Sequence, residues 1–157
     1  MVGPYIDFFK AVARGWYMHI GHGHYKRSMG YVENIAHEIH SILMAPEDKV
    51  HQKTFYVGDT EPTDLYEFTE EVRQQLKAPK IRKMPLILAK AFAKIGDLLK
   101  YLGWVNVPLS SFRLNNIMTE YVFDISPIMG VARSLPYSVN EGIERTVKWL
   151  KDMKIVK

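Results

Sequence analysis

The sequence predicts an α/β protein in which short strands alternate with amphipathic helices. Short runs of β-branched and aromatic residues, such as Thr54–Val57, are separated by longer segments that carry apolar residues at helical spacing. Glycine and proline stand at many of the junctions between them. The chain has 157 residues, 47% of them hydrophobic, and shows no internal repeat, so it is long enough for one packed core.

The N-terminal segment predicts a helix followed by a β-hairpin. Apolar side chains at the i, i+3, i+4 and i+7 positions indicate the helix, and Gly15 marks its end; these side chains are Tyr5, Phe8, Phe9 and Val12. The runs Trp16–Ile20 and Lys26–Val32 flank a turn that contains two glycines. We therefore expect the two runs to pair with each other as a hairpin.

A second helix and a strand are predicted before residue 60. The helix covers Glu33–Met44 and ends before Pro46. Its expected core face is apolar and consists of Ile35, Ile39, Ile42 and Leu43. The run Thr54–Val57 has strand composition and stops at Gly58-Asp59.

The remaining sequence predicts three further helices and two short strands. A helix capped by Thr63 should bury Leu65, Phe68, Val72 and Leu76. Short strands are predicted at Ile81–Met84 and Tyr121–Asp124. An apolar helix between them has Pro85 in its first turn and ends at about Leu102, before Gly103. The last helix opens with the capping box Ser138-x-x-Glu141 and should bury Val139, Ile143, Val147 and Leu150.

Composition and charge exclude several classes of function. The balance of 21 Lys and Arg against 17 Asp and Glu suits an anionic small ligand, but the basic residues are not clustered as nucleic-acid binding requires. The absence of cysteine excludes a disulfide framework and a thiol nucleophile. No apolar run is long enough to span a bilayer, and the start lacks the features of a signal peptide, so we expect a cytoplasmic protein.

No catalytic, metal or cofactor motif is complete. Histidines gather near the turn at positions 19, 22 and 24, but no carboxylate or thiolate stands at a ligand spacing. His37 and His40 are three residues apart, whereas the helical zinc motif needs four. The Gly21-x-Gly23 pair is followed by Lys26 where a dinucleotide fingerprint has its third glycine. We therefore predict no catalytic residue and no metal site.

The order of several short motifs nevertheless resembles a known family. Gly3-Pro4 is followed by Lys26-Arg27-Ser28-Met29-Gly30-Tyr31-Val32-Glu33-Asn34 and by Phe55-Tyr56-Val57-Gly58-Asp59. Phe112-Arg113, Tyr121–Asp124, Glu141-Gly142-Ile143 and Thr146-Val147-x-Trp149-Leu150 come next. This succession resembles the C-terminal part of extended short-chain dehydrogenase/reductases, the NAD-dependent nucleotide-sugar epimerases and dehydratases.

The resemblance implies a substrate-binding region that is not catalytic alone. Residues 1–60 would supply the closing elements of a Rossmann sheet and a substrate hairpin, and residues 61–157 a small substrate-binding lobe. Arg27, Ser28, Tyr31 and Arg113 would contact a nucleotide-sugar, and Pro4 would lie at the NAD or NADP site of the complete enzyme. The glycine fingerprint and the Tyr-x-x-x-Lys pair of that family are absent here, since none of the nine tyrosines has a lysine four positions later.

Three further expectations follow from the same resemblance. The nucleotide-binding half would be missing, so the chain alone should bind neither NAD nor NADP. The strand Thr54–Val57 would then be left as an unpaired edge, which favours self-association. Two alternatives stay open: a hydroxysteroid-type dehydrogenase or ketone reductase of the same superfamily, which the apolar segment Met84–Trp104 resembles, and a non-catalytic binding module.

Overall fold

A computed structural model describes residues 4–105 and 107–156, with Pro4 described by its backbone. This part of the chain contains eight helices and two small sheets. The helices are α1 (Pro4–Ala13), α2 (Val32–Met44), α3 (Glu47–Val50), α4 (Leu65–Gln75), α5 (Leu86–Tyr101), α6 (Ser111–Met118), α7 (Ser126–Ala132) and α8 (Val139–Asp152). The strands are β1 (Met18–Ile20), β2 (Lys26–Arg27), β3 (Thr63–Asp64) and β4 (Arg82–Met84). The predicted α/β class is confirmed.

The two sheets have different topologies. β1 pairs with β4 in parallel, with His19 opposite Lys83. β2 pairs with β3 antiparallel, with Arg27 opposite Thr63, and a single parallel bridge joins Arg27 to Tyr121 on its other side. Each sheet therefore connects the first third of the chain to a later segment.

The predicted hairpin is wrong, because the two runs around the glycine turn belong to different sheets. Gly21 and Gly23 both have positive φ values, 64° and 79°, which an L side chain adopts only with strain. These glycines turn the chain from β1 into β2 without pairing the two strands. The predicted strands Thr54–Val57 and Tyr121–Asp124 are also wrong, apart from the one bridge at Tyr121.

The main core lies between α1, α4 and α8. Its apolar side chains interlock because each helix presents a stripe at helical spacing. The buried residues are Phe9, Val12, Val72, Leu76, Ala78, Ile143, Val147, Leu150 and Val156. The predicted faces of the three helices are therefore confirmed in their central positions, whereas Tyr5 is 63% exposed. A smaller cluster joins α5 to α6 through Ala89, Ala93 and Leu114.

Local capping fixes where the core helices begin. Ser138 Oγ accepts a hydrogen bond from the Glu141 backbone N–H, and the Glu141 carboxylate accepts one from the Ser138 backbone N–H, so the predicted capping box is confirmed. The cap of α4 is Asp64 rather than Thr63, because its carboxylate accepts the backbone N–H groups of Tyr66 and Glu67. The predicted strand Ile81–Met84 and the helix that follows it are confirmed as β4 and α5.

Helix α2 forms as predicted, but its fully buried side chains are polar and lie beside the predicted apolar face. The fully buried positions are Asn34 and Glu38, whereas Ile39 is 49% exposed and Leu43 is 76% exposed. Of the other two predicted core residues, Ile35 and Ile42 are half-buried, so the predicted apolar face is only partly covered. Periodicity located the helix, but it could not tell which side would meet the rest of the chain.

Candidate functional site

A buried polar cluster anchors α2 to two loops. Asn34 Nδ2 donates to Asp59 Oδ1 at 2.7 Å and to the Tyr137 carbonyl at 2.8 Å, and Asn34 Oδ1 accepts from the Tyr137 backbone N–H at 3.1 Å. Asp59 also accepts the backbone N–H of Tyr31. These bonds satisfy buried polar atoms that would otherwise be costly to desolvate. The cluster thereby fixes the start of α2 against the segments before β3 and α8.

Glu38 extends this polar cluster one helical turn further. Its Oε2 accepts the backbone N–H of Gly58 at 3.0 Å, and its Oε1 is buried without a hydrogen-bond partner among the described residues. Burial raises the pKa of the Glu38 carboxyl, and the Gly58 N–H opposes this only in part. There is little space for a side chain at position 58, since a Cβ on Gly58 would lie 3.0 Å from the Met29 carbonyl oxygen.

An open groove of about 910 Å³ runs between the start of α2 and α8. Tyr31, Tyr137 and Trp149 form its aromatic walls. Arg145 lies between them: its guanidinium sits 4.4 Å from the centre of the Tyr137 ring and donates from Nη2 to both Glu33 carboxylate oxygens at 3.1 and 3.2 Å. The groove offers aromatic rings on which a planar ligand could stack, but the charge of Arg145 is already balanced by its ion pair with Glu33.

A hydrogen-bonded pair at the groove mouth holds Arg145 in place. Tyr31 Oη donates to Glu33 Oε1 at 2.9 Å and accepts from Arg145 Nε at 3.2 Å. The Tyr31 hydroxyl, together with Arg145, holds the pKa of Glu33 below its ordinary value, and the same contacts raise the pKa of Arg145. Glu33 and Arg145 therefore stay charged at neutral pH. Tyr31, one of the predicted substrate residues, orients this pair and also lines the groove.

Arg27 is held by the end of α6. Its Nη2 donates to the carbonyl oxygens of Asn116 and Ile117, and the guanidinium lies 5.5 Å from the centre of the Tyr121 ring. Its Nε is buried without a partner among the described residues. This arginine therefore joins β2 to the last carbonyls of a helix and is part of the packing between them.

Ser28 joins the same sheet edge to an exposed aromatic segment. Its backbone N–H donates to the Tyr121 carbonyl at 2.7 Å, and its Oγ accepts the Phe123 backbone N–H at 2.9 Å. The Phe123 ring stacks on Tyr56 with the centroids 4.9 Å apart and the planes 12° apart, and both side chains are about half exposed. Arg27 and Ser28 therefore border an exposed aromatic surface, which we call the aromatic ledge (Tyr56, Tyr121 and Phe123).

The other predicted site residues lie elsewhere. Arg113 is exposed in the first turn of α6, and its Nη1 donates to the carbonyls of Val107 and Pro108 at 2.7 and 3.2 Å. It closes its own loop, and no contact joins it to Arg27. Pro4 begins α1, but its side chain lies outside the described residues. These predicted contacts with substrate and cofactor stay predictions.

The histidine turn packs on α4. His19 is 3% exposed, stacks at 4.4 Å on the Tyr66 ring and has its Nε2 3.7 Å from Glu70 Oε1. Burial lowers the pKa of His19, and the Glu70 carboxylate offsets only part of that effect. His24 Nδ1 lies 3.1 Å from Asp64 Oδ2. Within residues 4–105 and 107–156, no three histidine, aspartate or glutamate side chains converge as metal ligands.

The glycine turn does not fit a dinucleotide. A Cβ at Gly23 would meet the Tyr66 ring at 3.2 Å and His19 at 3.3 Å, so the turn is filled by side chains rather than open to a phosphate. It also leads into β2, whereas pyrophosphate binding uses glycines that lead into a helix N-terminus. The turn at Gly21 and Gly23 therefore lacks the geometry that holds a pyrophosphate, and the expectation that the chain alone binds neither NAD nor NADP stays a prediction.

Sequence reasoning missed Asn34, Glu38, Asp59 and Arg145. Asn34 and Asp59 belong to the motifs that carry the family resemblance. Helical periodicity nevertheless predicts that a polar residue beside an apolar stripe is exposed to solvent, so it did not indicate that Asn34 is buried. Arg145 pairs with Glu33, more than a hundred positions away in the sequence, and no local sequence pattern predicts such a contact.

The chain is similar to parts of two longer proteins. No family profile matches the sequence. An uncharacterised protein of Sinorhizobium fredii, y4nL, is 27% identical over 150 residues, which cover 90% of this chain and 41% of that protein. The crystal structure of gox2253 superposes with a TM-score of 0.68 and 13% sequence identity over 99% of this chain and 46% of that one. The chain thus spans less than half of each protein, and the structural likeness concerns the fold alone.

Proposed function

We propose that this chain is the substrate-binding C-terminal region of an NAD(P)-dependent nucleotide-sugar epimerase or dehydratase of the extended short-chain dehydrogenase/reductase family. It binds the nucleotide-sugar and does not turn it over alone. The resemblance of its ordered motifs supports the family. The cofactor would bind to a Rossmann half outside this chain, and the chemistry would use residues of that half.

The observation that carries the proposal is the exposed apolar stripe of α2. Val32, Ile39 and Leu43 are 66%, 49% and 76% exposed, while the opposite side of the helix is closed by Asn34 and Glu38. A helix that is fixed on one side and apolar on the other is typical of an inner layer between two bodies. The nucleotide-binding half is the expected second body, and the two longer proteins that this chain matches leave room for one.

The proposed substrate surface is the aromatic ledge together with Arg27 and Ser28. The stacked rings of Tyr56 and Phe123 suit a flat base or a sugar face, and the guanidinium of Arg27 is held at the edge of the ledge by the α6 carbonyls. Its Nη1 makes no hydrogen bond to a described residue, so one side of the fork stays available to a phosphate oxygen. The diphosphate would lie along β2.

Helix α5 favours a second candidate, a hydroxysteroid-type dehydrogenase or ketone reductase. Its large apolar side chains, among them Phe92 and Ile95, are more than half exposed. An apolar surface of this kind would suit a lipid-like substrate. A non-catalytic binding module that works without any cofactor half is the remaining alternative.

A ligand screen separates these candidates. The chain should be titrated by calorimetry with UDP-glucose, dTDP-glucose, GDP-mannose and CDP-glucose, and separately with pregnenolone, NAD⁺ and NADP⁺. We expect one of the nucleoside diphosphate sugars to bind with one-to-one stoichiometry and the dinucleotides not to bind. Binding of pregnenolone in place of the sugars would favour the second candidate. A micromolar dissociation constant for NAD⁺ would contradict the absence of a cofactor site.

A further inference from the structure

Tyr56 of the aromatic ledge lies on a segment without helix or strand structure. Among the described residues, no backbone hydrogen bond holds positions 54–57, and most of these residues are exposed. Burial begins at Gly58 and Asp59, the next two residues. The position of the Tyr56 ring therefore depends on how the chain is anchored at Gly58 and Asp59.

Gly58 and Asp59 are anchored by hydrogen bonds to two other segments. Glu38 Oε2 in α2 accepts the Gly58 backbone N–H at 3.0 Å, and the Met29 carbonyl accepts the Asp59 backbone N–H at 2.7 Å. Gly58 also lies beside Ile125, because a Cβ at Gly58 would be 3.8 Å from Ile125 Cγ2. The Glu38 carboxylate thus supplies the hydrogen bond of the Gly58 amide.

The anchor and the ledge belong to the same pair of adjacent segments. Tyr56 stacks on Phe123, and two residues further along each segment Gly58 lies beside Ile125. Only one residue separates Tyr56 from Gly58, and consecutive Cα atoms are about 3.8 Å apart, so a shift of Gly58 moves Tyr56 with it. Phe123 is held separately, since its backbone N–H donates to Ser28 Oγ. The anchor at Gly58 therefore controls one ring of the stack and not the other.

A carboxylate is an unusual residue for this buried position. Glu38 is fully buried, and its Oε1 makes no hydrogen bond to a described residue. Burial raises the pKa of Glu38; the Gly58 N–H lowers it in part, Asp59 raises it and His37 lowers it. Helix α7, which packs against α2, has no titratable residue that would add to these effects. Burial thus disfavours the charged form, although the charged form is the stronger acceptor for the Gly58 N–H.

We propose that Glu38 is a positioning residue of the proposed substrate surface: its ionised carboxylate, through the Gly58 N–H, holds Tyr56 in the stack on which the ligand packs. This inference rests on the proposed function. Protonation of Glu38 weakens the hydrogen bond and loosens the segment that carries Tyr56. Because the pKa of Glu38 is raised, protonation occurs at a higher pH than for an ordinary glutamate. Ligand binding should therefore weaken as the pH falls through that range.

Proton NMR of the chain without ligand tests the positioning alone. The Phe123 ring shifts the resonances of the Tyr56 ring protons as long as the two rings are stacked, and Phe123→Ala gives the unstacked reference. We expect this shift to decrease as the pH is lowered from about 7 to about 4.5. In Glu38→Gln it should be smaller than in the unmodified chain at neutral pH and independent of pH. Glu70→Gln, which removes a half-buried carboxylate from α4, should titrate like the unmodified chain.

Calorimetry with the nucleoside diphosphate sugars of the ligand screen tests the consequence for binding. Glu38→Gln should weaken binding about fivefold at neutral pH, the difference between a charged and a neutral hydrogen bond, and should remove its acid dependence. Glu38→Ala, which has no acceptor for the Gly58 N–H, should weaken binding about tenfold or more. The Tm of Glu38→Gln should not fall, because a buried charge is removed. A merely structural role predicts instead that binding and Tm fall together.

The two measurements separate a failure of this inference from a failure of the proposed function. If the ring shift titrates as expected but no nucleoside diphosphate sugar binds, the proposed function is wrong and the hold of Glu38 on the stack stands. The pH titration of the unmodified chain needs no variant, so it remains decisive if Glu38→Ala does not fold. A Tyr56 ring shift that does not change with pH in the unmodified chain overturns the inference. A Glu38→Gln chain with the ring shift and the affinity of the unmodified chain overturns it as well.

Discussion

Replacing Arg27 by lysine should destabilise the fold because this arginine links β2 to the end of α6. Its Nη2 donates to two carbonyl oxygens, and its guanidinium lies over the Tyr121 ring. A hydrogen bond from a charged donor contributes about 1.5–3 kcal/mol, and a partly exposed cation–π contact about 0.5–1 kcal/mol. A lysine can keep one carbonyl but not the planar contact. We therefore expect a loss of about 2 kcal/mol, or about 4–8 °C in Tm for a chain of this size.

Urea unfolding followed by circular dichroism measures this loss. Arg14→Lys is the matched control, since Arg14 is exposed and its contact with the Trp16 ring is local; its free energy of unfolding should stay within about 0.5 kcal/mol of the unmodified chain. An Arg27→Lys chain that unfolds at the same urea concentration as the unmodified chain would refute the structural reasoning. If the proposed function holds, the same variant in the complete enzyme should also weaken nucleotide-sugar binding by about 1–3 kcal/mol.

Further predictions concern packing and pH. Gly96→Ala should destabilise the fold by about 1–3 kcal/mol, although alanine is the better helix former, because the added Cβ overlaps the Leu109 carbonyl oxygen. Gly130→Ala in α7 should stabilise the fold by about 0.5–1 kcal/mol, because its Cβ meets open space. Thermal unfolding of the two variants measures both changes. Burial lowers the pKa of His19, so the unfolded chain binds the proton more tightly and stability should fall as pH drops below about 6.5. His19→Asn should flatten that slope in urea titrations; an unchanged slope would assign the pH dependence to other groups.

The helices of the main core could be predicted because their signals are local. Ser138 and Glu141 cap α8 within one turn, and Val72 and Leu76 repeat at helical spacing along α4. Such contacts lie within a few residues of each other, so a sequence window contains all that determines them.

The strands and the buried face of α2 could not be predicted in this way. A strand forms only when a second strand pairs with it, and Thr54–Val57 has no such partner among the described residues. The short β2 does form, because Arg27 pairs with Thr63 and Tyr121 from distant segments. In α2 the apolar stripe is real, but the polar cluster of Asn34 and Asp59 decides which side is buried. For the candidate site, the motifs located Arg27 and Ser28, while the carbonyls that hold Arg27 lie ninety residues away.

The calorimetric titration of the chain with UDP-glucose, dTDP-glucose, GDP-mannose and CDP-glucose, run beside NAD⁺ and NADP⁺, tests the proposed function most directly. We predict saturable one-to-one binding of one of these sugars, reduced by Phe123→Ala on the aromatic ledge and unaffected by Trp16→Phe, together with no heat from either dinucleotide. Binding of NAD⁺ or NADP⁺, or no binding of any nucleoside diphosphate sugar, would contradict a substrate-binding region without a cofactor site.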